Sequence, residues 1–272
     1  MLMSKSFLRI LLFVGIVAIL GSCNTYEKLL KSTDFELKYT EAKKFYNQGE
    51  YYKARTLFEE LISYYKGSKS VEDLYYYYSW CYYGDKEYSS ASYYFKRFAE
   101  VYPNSKNTEL SQFMVAKSLY QLSPRSNLDQ SNTIKAVDAF QLFVNNYPTS
   151  TMVPECNKLI DEMRAKLEVK ALSNANLYYK IQDYKAAQLA YEQVLTDFPE
   201  TNSREEINFN ILKANFYLAE NSVERKKEER YNETIATYYK FIDSYKQSKF
   251  IKDAERFFQI SQNQISKINT EK

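Results

Sequence analysis

The sequence predicts an all-α fold, a solenoid of about five helix-turn-helix repeats closed by a capping helix at its C-terminal end. One observation is a recurring pattern in which alanine is followed four residues later by an aromatic residue and eight residues after that by proline. A second is the short polar turn on which each copy ends, such as Tyr102-Pro103-Asn104-Ser105. Such self-similarity is typical of stacked repeats, because one pair of helices cannot bury its apolar face alone.

The chain opens with a predicted signal peptide, which we assign to residues 1–22. Lys5 and Arg9 form a positive start without an acidic residue nearby, and an unbroken apolar run extends over Ile10–Leu20. These eleven residues suit the core of a signal peptide and are too few to cross a bilayer as a helix.

A lipidation motif follows the apolar run. Leu20-Gly21-Ser22-Cys23 resembles the bacterial lipobox, in which small residues precede a cysteine. The resemblance implies cleavage before Cys23 and lipidation of that cysteine, and several acyl chains on one residue hold a protein stably on a membrane. Residues 23–32 would then form the lipidated N-terminal linker. Ordinary secretion with cleavage nearby is the alternative.

Five copies of the repeat occupy the mature chain, three of them complete and two with lysine in place of the proline. The complete copies are Ala91/Phe95/Pro103, Ala136/Phe140/Pro148 and Ala187/Tyr191/Pro199, and the weaker ones are Ala54/Phe58/Lys66 and Thr234/Tyr238/Lys246. The proline ends the second helix of a repeat because it has no N–H to donate to the preceding turn.

Each copy is preceded by a small residue with a larger apolar one three positions later. These pairs are Ala42/Phe45, Ser79/Tyr82, Ala116/Leu119, Ala175/Tyr178 and Ala214/Tyr217. The small residues allow the two helices of a repeat to approach closely. The arrangement resembles the tetratricopeptide repeat, a helix-turn-helix unit of about 34 residues.

We divide the repeats into an N-terminal half, residues 33–152, and a C-terminal half, residues 153–272. The apolar spacing predicts one long helix from about Val153 to Lys180 and an amphipathic capping helix from about Phe250 to Ile268. The third and fifth repeats are longer than the others by eight residues. We expect these extra residues in polar loops at Ser123–Asn132 and Asn221–Tyr231.

Composition argues against an enzyme and against nucleic acid as the main partner. Without residues 1–22 the chain has 35 basic and 34 acidic residues, and a near-neutral chain is a poor match for a polyanion. Histidine, the commonest general base and metal ligand, does not occur in the sequence. The mature chain contains only Gly49, Gly67 and Gly84, too few for a glycine-rich phosphate loop. We therefore expect no catalysis, no cofactor and no metal.

The remaining reactive side chains have structural interpretations. Adjacent acidic residues such as Glu59-Glu60 and Glu205-Glu206 do not share a helix face, so they indicate solvated charge rather than an acid/base pair. Cys81 and Cys156 are too few for a disulfide framework, and we expect two small, buried side chains.

A candidate binding groove follows from the resemblance to tetratricopeptide arrays, which bind with the inner faces of their first helices. By that resemblance the inner positions lie six and three before the small residue, and one and four after it. In the first three repeats seven of these twelve positions are aromatic, against one of eight in the last two. Rings of this kind grip an extended peptide without demanding one sequence. The predicted groove residues are Tyr39, Tyr46, Tyr76, Trp80, Tyr83, Phe113 and Tyr120. For any one ring, packing is the alternative.

The lipobox and five repeats with aromatic-Pro-x-Ser/Thr endings together resemble the BamD family of outer membrane assembly lipoproteins. Ala175-Asn176-Leu177-Tyr178-Tyr179 and Asp183-Tyr184-Lys185-Ala186-Ala187, after the long helix, are similar to that family's central segment. Lys66 and Lys246 depart from the expected prolines, and the loop before Tyr231 is unusually charged.

The resemblance implies a lipid-anchored, non-catalytic scaffold of the β-barrel assembly machine, on the periplasmic face of the outer membrane. Its N-terminal half would bind unfolded barrel proteins, and its C-terminal half would dock on the POTRA domains of the barrel-forming subunit. The residue after the cysteine is Asn24 and not the aspartate that suggests inner-membrane retention.

Two other functions stay open. One is a tetratricopeptide lipoprotein that organises cell-envelope or peptidoglycan enzymes, whose depletion would alter cell shape without loss of barrel proteins. The other is a glycan-binding lipoprotein of a nutrient-uptake system, although such proteins usually add large irregular loops that this chain lacks.

Overall fold

The computed structural model describes residues 25–68 and 70–271, and this part of the chain is α-helical without a strand. The predicted signal peptide, residues 1–22, and the predicted lipidation site Cys23 lie outside the described residues. The predicted fold class is confirmed, since the described part forms five successive helix pairs followed by a final helix.

The chain divides into two compact units. Among the described residues, unit 1 contains those up to Ser123 together with Ser131–Ile160, and unit 2 contains Pro124–Gln130 and those from Asp161 onwards. In unit 1 the helices are α1 (25–31), α2 (Phe35–Asn47), α3 (Tyr51–Tyr64), α4 (Val71–Gly84), α5 (Tyr88–Val101), α6 (Thr108–Gln121), α7 (Ser131–Asn146) and the start of α8 (Val153–Lys180). Unit 2 contains the rest of α8, α9 (Tyr184–Asp197), α10 (Arg204–Glu220), α11 (Glu224–Ser244) and α12 (Ile251–Glu271).

The small residues of the repeat lie where the helices cross. The side chains of Ala42 and Ala54 are fully buried, and so are those of Ala175 and Ala187 in unit 2. Around the first pair the core is filled by larger apolar side chains, among them Phe58. Small side chains let the two helices of a repeat approach closely, and the larger ones beside them fill the remaining core.

The turn between the two helices of a repeat has the same backbone in three repeats. Gly49 has a φ of 76°, and the equivalent Lys86 and Gln182 have φ values of 63° and 66°. The next residue donates its N–H to the carbonyl five positions back in each case, as from Glu50 to Phe45. This left-handed cap ends the first helix and turns the chain into the second.

Two predicted helices are confirmed. The long helix runs over Val153–Lys180, and the capping helix over Ile251–Glu271. The predicted loop Asn221–Tyr231 was wrong, because α11 already begins at Glu224 and Tyr231 is buried in the core of unit 2. Glutamate, lysine and arginine favour a helix, and the acidic Glu224 at its start pairs with Lys227 one turn later.

The segment predicted as a linker, residues 23–32, contains helix α1. Tyr26, Leu29 and Leu30 pack against the core of the first repeat. The first helix pair therefore has a partner on its N-terminal side, which covers apolar surface that a terminal repeat would otherwise expose.

Candidate peptide-binding groove

The candidate groove of unit 1 is built on the first helices of its repeats. Six of the predicted rings are half-buried, and the seventh is buried. On α4 the rings of Tyr76, Trp80 and Tyr83 form a continuous row, with centroids 6.2 Å and then 5.8 Å apart. Spacings of three and four residues on a helix place them on one face. Tyr83 continues the row to Tyr88 at 5.3 Å.

The two predicted rings of α2 join this row through a residue that the sequence reasoning missed. Tyr77 lies edge-on to Tyr46 at 5.2 Å and to Tyr76 at 6.0 Å. The Lys43 ammonium lies 5.4 Å from the ring centroid of Tyr39 and 5.2 Å from that of Tyr77. Residues 75–78 are four successive tyrosines, and their side chains point in several directions around the helix. Counting positions from the small residue of the repeat selected only Tyr76 among them.

The structure does not bring Phe113 to the accessible surface of the groove. Its side chain is only 6% exposed, and its ring meets Phe140 at 6.0 Å and Phe143 at 5.8 Å. Phe113 is therefore a packing residue of the third repeat. The rule by which it was selected counts positions along the helix and takes no account of the α7 rings packed against it.

The α6 side of the groove carries a cation. The Lys117 ammonium lies 5.8 Å from the ring centroid of Tyr120 and pairs with Glu155 at 2.6 Å. Burial raises the pKa of the Tyr83 hydroxyl, whereas the charge of Lys117 and a side-chain hydrogen bond with Gln121, both on α6, lower it. Tyr83 thus stands beside both the α4 ring row and the α6 side.

The hydroxyl groups of Tyr46, Tyr76 and Tyr83 stay protonated at physiological pH. Burial raises the pKa of Tyr46 to about 12 and also raises the pKa of Tyr76. Lys43 stays a cation, because the adjacent Tyr39 and Tyr77 together raise its pKa by more than burial lowers it. The surface is therefore mainly uncharged aromatic, with lysines at Lys43 and Lys117.

The opposite end of the groove is acidic. A small cavity of about 150 Å³ lies between Glu36 and Tyr39 of α2 and Asp73 of α4. Tyr65 closes one side and donates its hydroxyl to Glu36 at 3.0 Å. The groove therefore changes along the helices, from carboxylates at the start of α2 and α4 to rings at their ends.

A second groove lies on the other side of α6, between α5 and α7, with a volume of about 490 Å³. Val115, Leu119 and Ala139 line it. One repeat earlier the equivalent positions are Tyr78, Tyr82 and Tyr94, whose rings contact one another and fill the space. Smaller side chains at three repeat positions thus open this groove.

Both cysteines in the described part of the chain occupy core positions. Cys81 and Cys156 are buried and free. Among residues 25–68 and 70–271, no group of three histidine, cysteine, aspartate or glutamate side chains is placed to hold a metal ion. The helices of this same part include none that is long and apolar enough to cross a membrane.

Comparison with known proteins gives a family match over most of the chain. The model of a family described as outer membrane lipoprotein, YfiO, matches residues 32–231. A protein of Aquifex aeolicus (strain VF5) that carries the name outer membrane protein assembly factor BamD is 25% identical over 230 residues, which cover 83% of this chain and 75% of that protein.

Solved structures of tetratricopeptide proteins show weaker likeness. A yeast Sti1 TPR2AB-domain structure, described as a pHSP90 complex, is 14% identical with a TM-score of 0.41, and the match covers 87% of this chain and 92% of that one. The TPR domain of P58(IPK) is 12% identical with a TM-score of 0.41, with coverage of 90% and 67%.

Proposed function

This chain belongs to the YfiO (BamD) family of outer membrane lipoproteins, and on that premise we propose that it is a non-catalytic scaffold of β-barrel assembly. In this proposal the groove of unit 1 binds unfolded barrel proteins, and unit 2 docks on the POTRA domains of the barrel-forming subunit. Lipid on Cys23 holds the scaffold on the periplasmic face of the outer membrane.

The observation that carries the proposal is the connected row of accessible rings in unit 1. Strands of outer-membrane barrels alternate apolar and polar residues and end in aromatic girdles. Along an unpaired strand, side chains on one face recur about every 6.6 Å. The rings from Tyr46 to Tyr83 have centroids 5.2–6.2 Å apart, which supports interleaving with apolar side chains of such a strand. The polar side of the strand would stay in water.

A surface of unit 2 supports the docking part of the proposal. Tyr239 of α11 is 52% exposed beside an open depression of about 610 Å³ between α11 and α12. Ile242 lines the depression, and Lys246 and Glu255 add charges of both signs. A partly exposed ring with charges around it is the arrangement of an interface anchor and its rim.

Point substitution tests the docking surface better than truncation. Removal of residues 231–272 would delete Tyr231, Phe241 and Phe257, which are buried in the core of unit 2. Tyr239→Ala removes a ring that is 52% exposed and contacts Tyr238 and Phe258 at 5.5 Å and 5.4 Å, and it leaves the buried core residues in place. Tyr178→Ala, at a 42% exposed tyrosine of α8 in the same unit, is the matched control.

The experiment is purification of the lipoprotein from detergent-solubilised membranes, with mass spectrometry of its partners. We expect the barrel-forming subunit to co-purify with the unaltered protein and with Tyr178→Ala, and to be lost with Tyr239→Ala. Recovery of peptidoglycan enzymes in place of the barrel-forming subunit would instead favour a scaffold for cell-envelope enzymes.

A further inference from the structure

Helix α1 is fixed to the first repeat at both of its ends. At its start, Tyr26 donates its hydroxyl to the Lys53 carbonyl at 3.2 Å, and its ring meets Phe45 edge-on at 5.5 Å. At its end, the fully buried Lys38 donates to the Leu30 carbonyl at 2.9 Å. These contacts at both ends give the helix a defined place on unit 1.

The buried lysine that holds the end of α1 is itself neutralised. Its ammonium donates to both carboxylate oxygens of Glu60 at 2.6 Å. A buried cation persists when it is paired and hydrogen-bonded, so Lys38 ties α1, α2 and α3 together.

The start of α1 lies beside the turn that joins α2 to α3. Tyr26 reaches Phe45 near the end of α2 and Lys53 in the first turn of α3. Tyr52, also in that first turn, is 66% exposed. The Lys53 ammonium lies 5.7 Å from the ring centroid of Tyr26, so the start of α1 and the first turn of α3 are in contact. Lys28 is exposed on α1.

The distance from this place to the predicted lipid is short. Cys23 precedes Thr25, the first described residue of α1, by two positions. Two extended residues span at most about 7 Å. If the acyl chains of Cys23 are inserted in hydrocarbon, Thr25 must lie near the headgroups of the same leaflet.

We propose that the turn edge of the first repeat, formed by Lys28, residues 48–50, Tyr52 and Lys53, rests on the phospholipid headgroups of the membrane that holds Cys23. The proposal rests on the lipid anchor of the proposed function and adds the protein surface that meets the bilayer. Tyrosine and lysine are side chains that membrane proteins place at this level, because the ring sits in the interface and the ammonium meets phosphate. The Lys53 ammonium already pairs with the Glu50 carboxylate of the same turn, so the exposed Lys28 is the cation that would meet phosphate.

The contact would also orient the groove. Helices α2 and α4 both end at the turn that leads into the second helix of their repeat. At these turns the ring centroids of Tyr46 and Tyr51 are 5.7 Å apart, and those of Tyr83 and Tyr88 are 5.3 Å apart. The aromatic end of the groove would therefore open towards the bilayer, and the acidic end with Glu36 away from it. An aromatic strand end held among these rings would already lie near the membrane it must enter.

The test places an environment-sensitive fluorophore at the proposed contact. The mature lipidated protein carrying Tyr52→Cys is labelled with a nitrobenzoxadiazole maleimide and reconstituted in phosphatidylethanolamine–phosphatidylglycerol vesicles. Cys81 and Cys156 are buried, so the surface thiol reacts selectively. Leu142→Cys, at a 59% exposed residue of α7 in the same unit, is the control.

At position 52 we expect a several-fold rise in emission on vesicles and quenching by lipids with a nitroxide near the headgroup, and neither change at position 142. Equal responses at the two positions, or none at either, would overturn the proposal, as would a Cys23 without acyl mass. The vesicles contain no barrel protein and no assembly partner. A negative result would therefore count against the membrane contact alone, and not against peptide binding or POTRA docking.

Discussion

Substitution of Trp80 by alanine removes the centre of the ring row and separates binding from folding. Trp80 is the only tryptophan of the chain and lies between Tyr76 and Tyr83 on the groove face of α4. Tyr82→Ala is the matched control, because Tyr82 lies on the same helix and contacts Tyr78 and Tyr94 outside the groove.

The structure predicts similar losses of folding stability for the two variants. Trp80 makes ring contacts with Tyr76, Tyr83 and Phe95 at 5.3–6.2 Å. Tyr82 makes two ring contacts, at 5.0 Å and 4.8 Å, and lies under the Arg55 guanidinium at 4.3 Å. Each ring contact contributes about 0.5–1.5 kcal/mol to folding, in addition to the burial of apolar surface. Because both side chains are only half-buried, we expect each variant to lose about 2–4 kcal/mol of unfolding free energy.

Binding should distinguish the two. An aromatic hot spot contributes about 2–4 kcal/mol to affinity, so Trp80→Ala should weaken binding of a barrel C-terminal peptide by about 30- to 900-fold. Tyr82→Ala should leave that affinity within a factor of about two, because its ring lies outside the groove. Urea unfolding followed by circular dichroism measures stability, and anisotropy of a labelled peptide measures affinity under conditions where both variants are folded.

Two results would refute this reasoning. If the variants lose affinity equally, the loss follows destabilisation and the rings of α4 are core. If Trp80→Ala folds and binds the peptide as the unaltered protein does, the row exists but is not the substrate site.

Three further predictions concern the scaffold. Gly49→Ala should lower the unfolding free energy by about 1 kcal/mol, because the left-handed turn penalises a β-carbon, whereas Lys86→Gly at the equivalent turn should not; urea titration checks both. The Cys81 thiol, whose pKa burial raises to about 12, should react with a disulfide reagent at pH 8 only on unfolding. Glu60→Gln should cost about 1–3 kcal/mol, since it leaves the buried Lys38 ammonium without its carboxylate; a loss below 0.5 kcal/mol in denaturant titration would contradict this role.

The fold was predictable because the repeat marks its own boundaries. Small residues mark where the two helices of a repeat cross, and a proline or polar turn marks the end of the second helix. An uninterrupted helical spacing of apolar residues predicted the long helix Val153–Lys180. The segment before Tyr231 was misread because the eight extra residues of the fifth repeat were assigned to a polar loop, whereas most of them lengthen the start of α11. A run of glutamate, lysine and arginine suits the exposed start of a helix as well as a loop, and the tertiary packing of Tyr231 decides between them.

The sequence predicted that the groove is aromatic better than it predicted which residues form it. Counting from the small residue selected rings on the correct helices, but such counting cannot tell which rings the neighbouring helix covers. Phe140 and Phe143 bury Phe113, whereas Tyr77 gains a place in the groove through the contacts of Tyr46 and Lys43. The anchoring of α1 by Lys38 also depends on a tertiary pair, with Glu60, that no local pattern announces.

The central claim, that the ring row of unit 1 receives unfolded barrel proteins, is tested most directly by photo-crosslinking in cells. A benzophenone amino acid replaces Tyr83 in the groove or, as a control, Tyr93, an exposed tyrosine of α5 outside it. We predict ultraviolet-dependent crosslinks from position 83 to newly exported barrel proteins and none from position 93. Equal crosslinks from both positions, or an absence of barrel proteins at position 83, would contradict the claim.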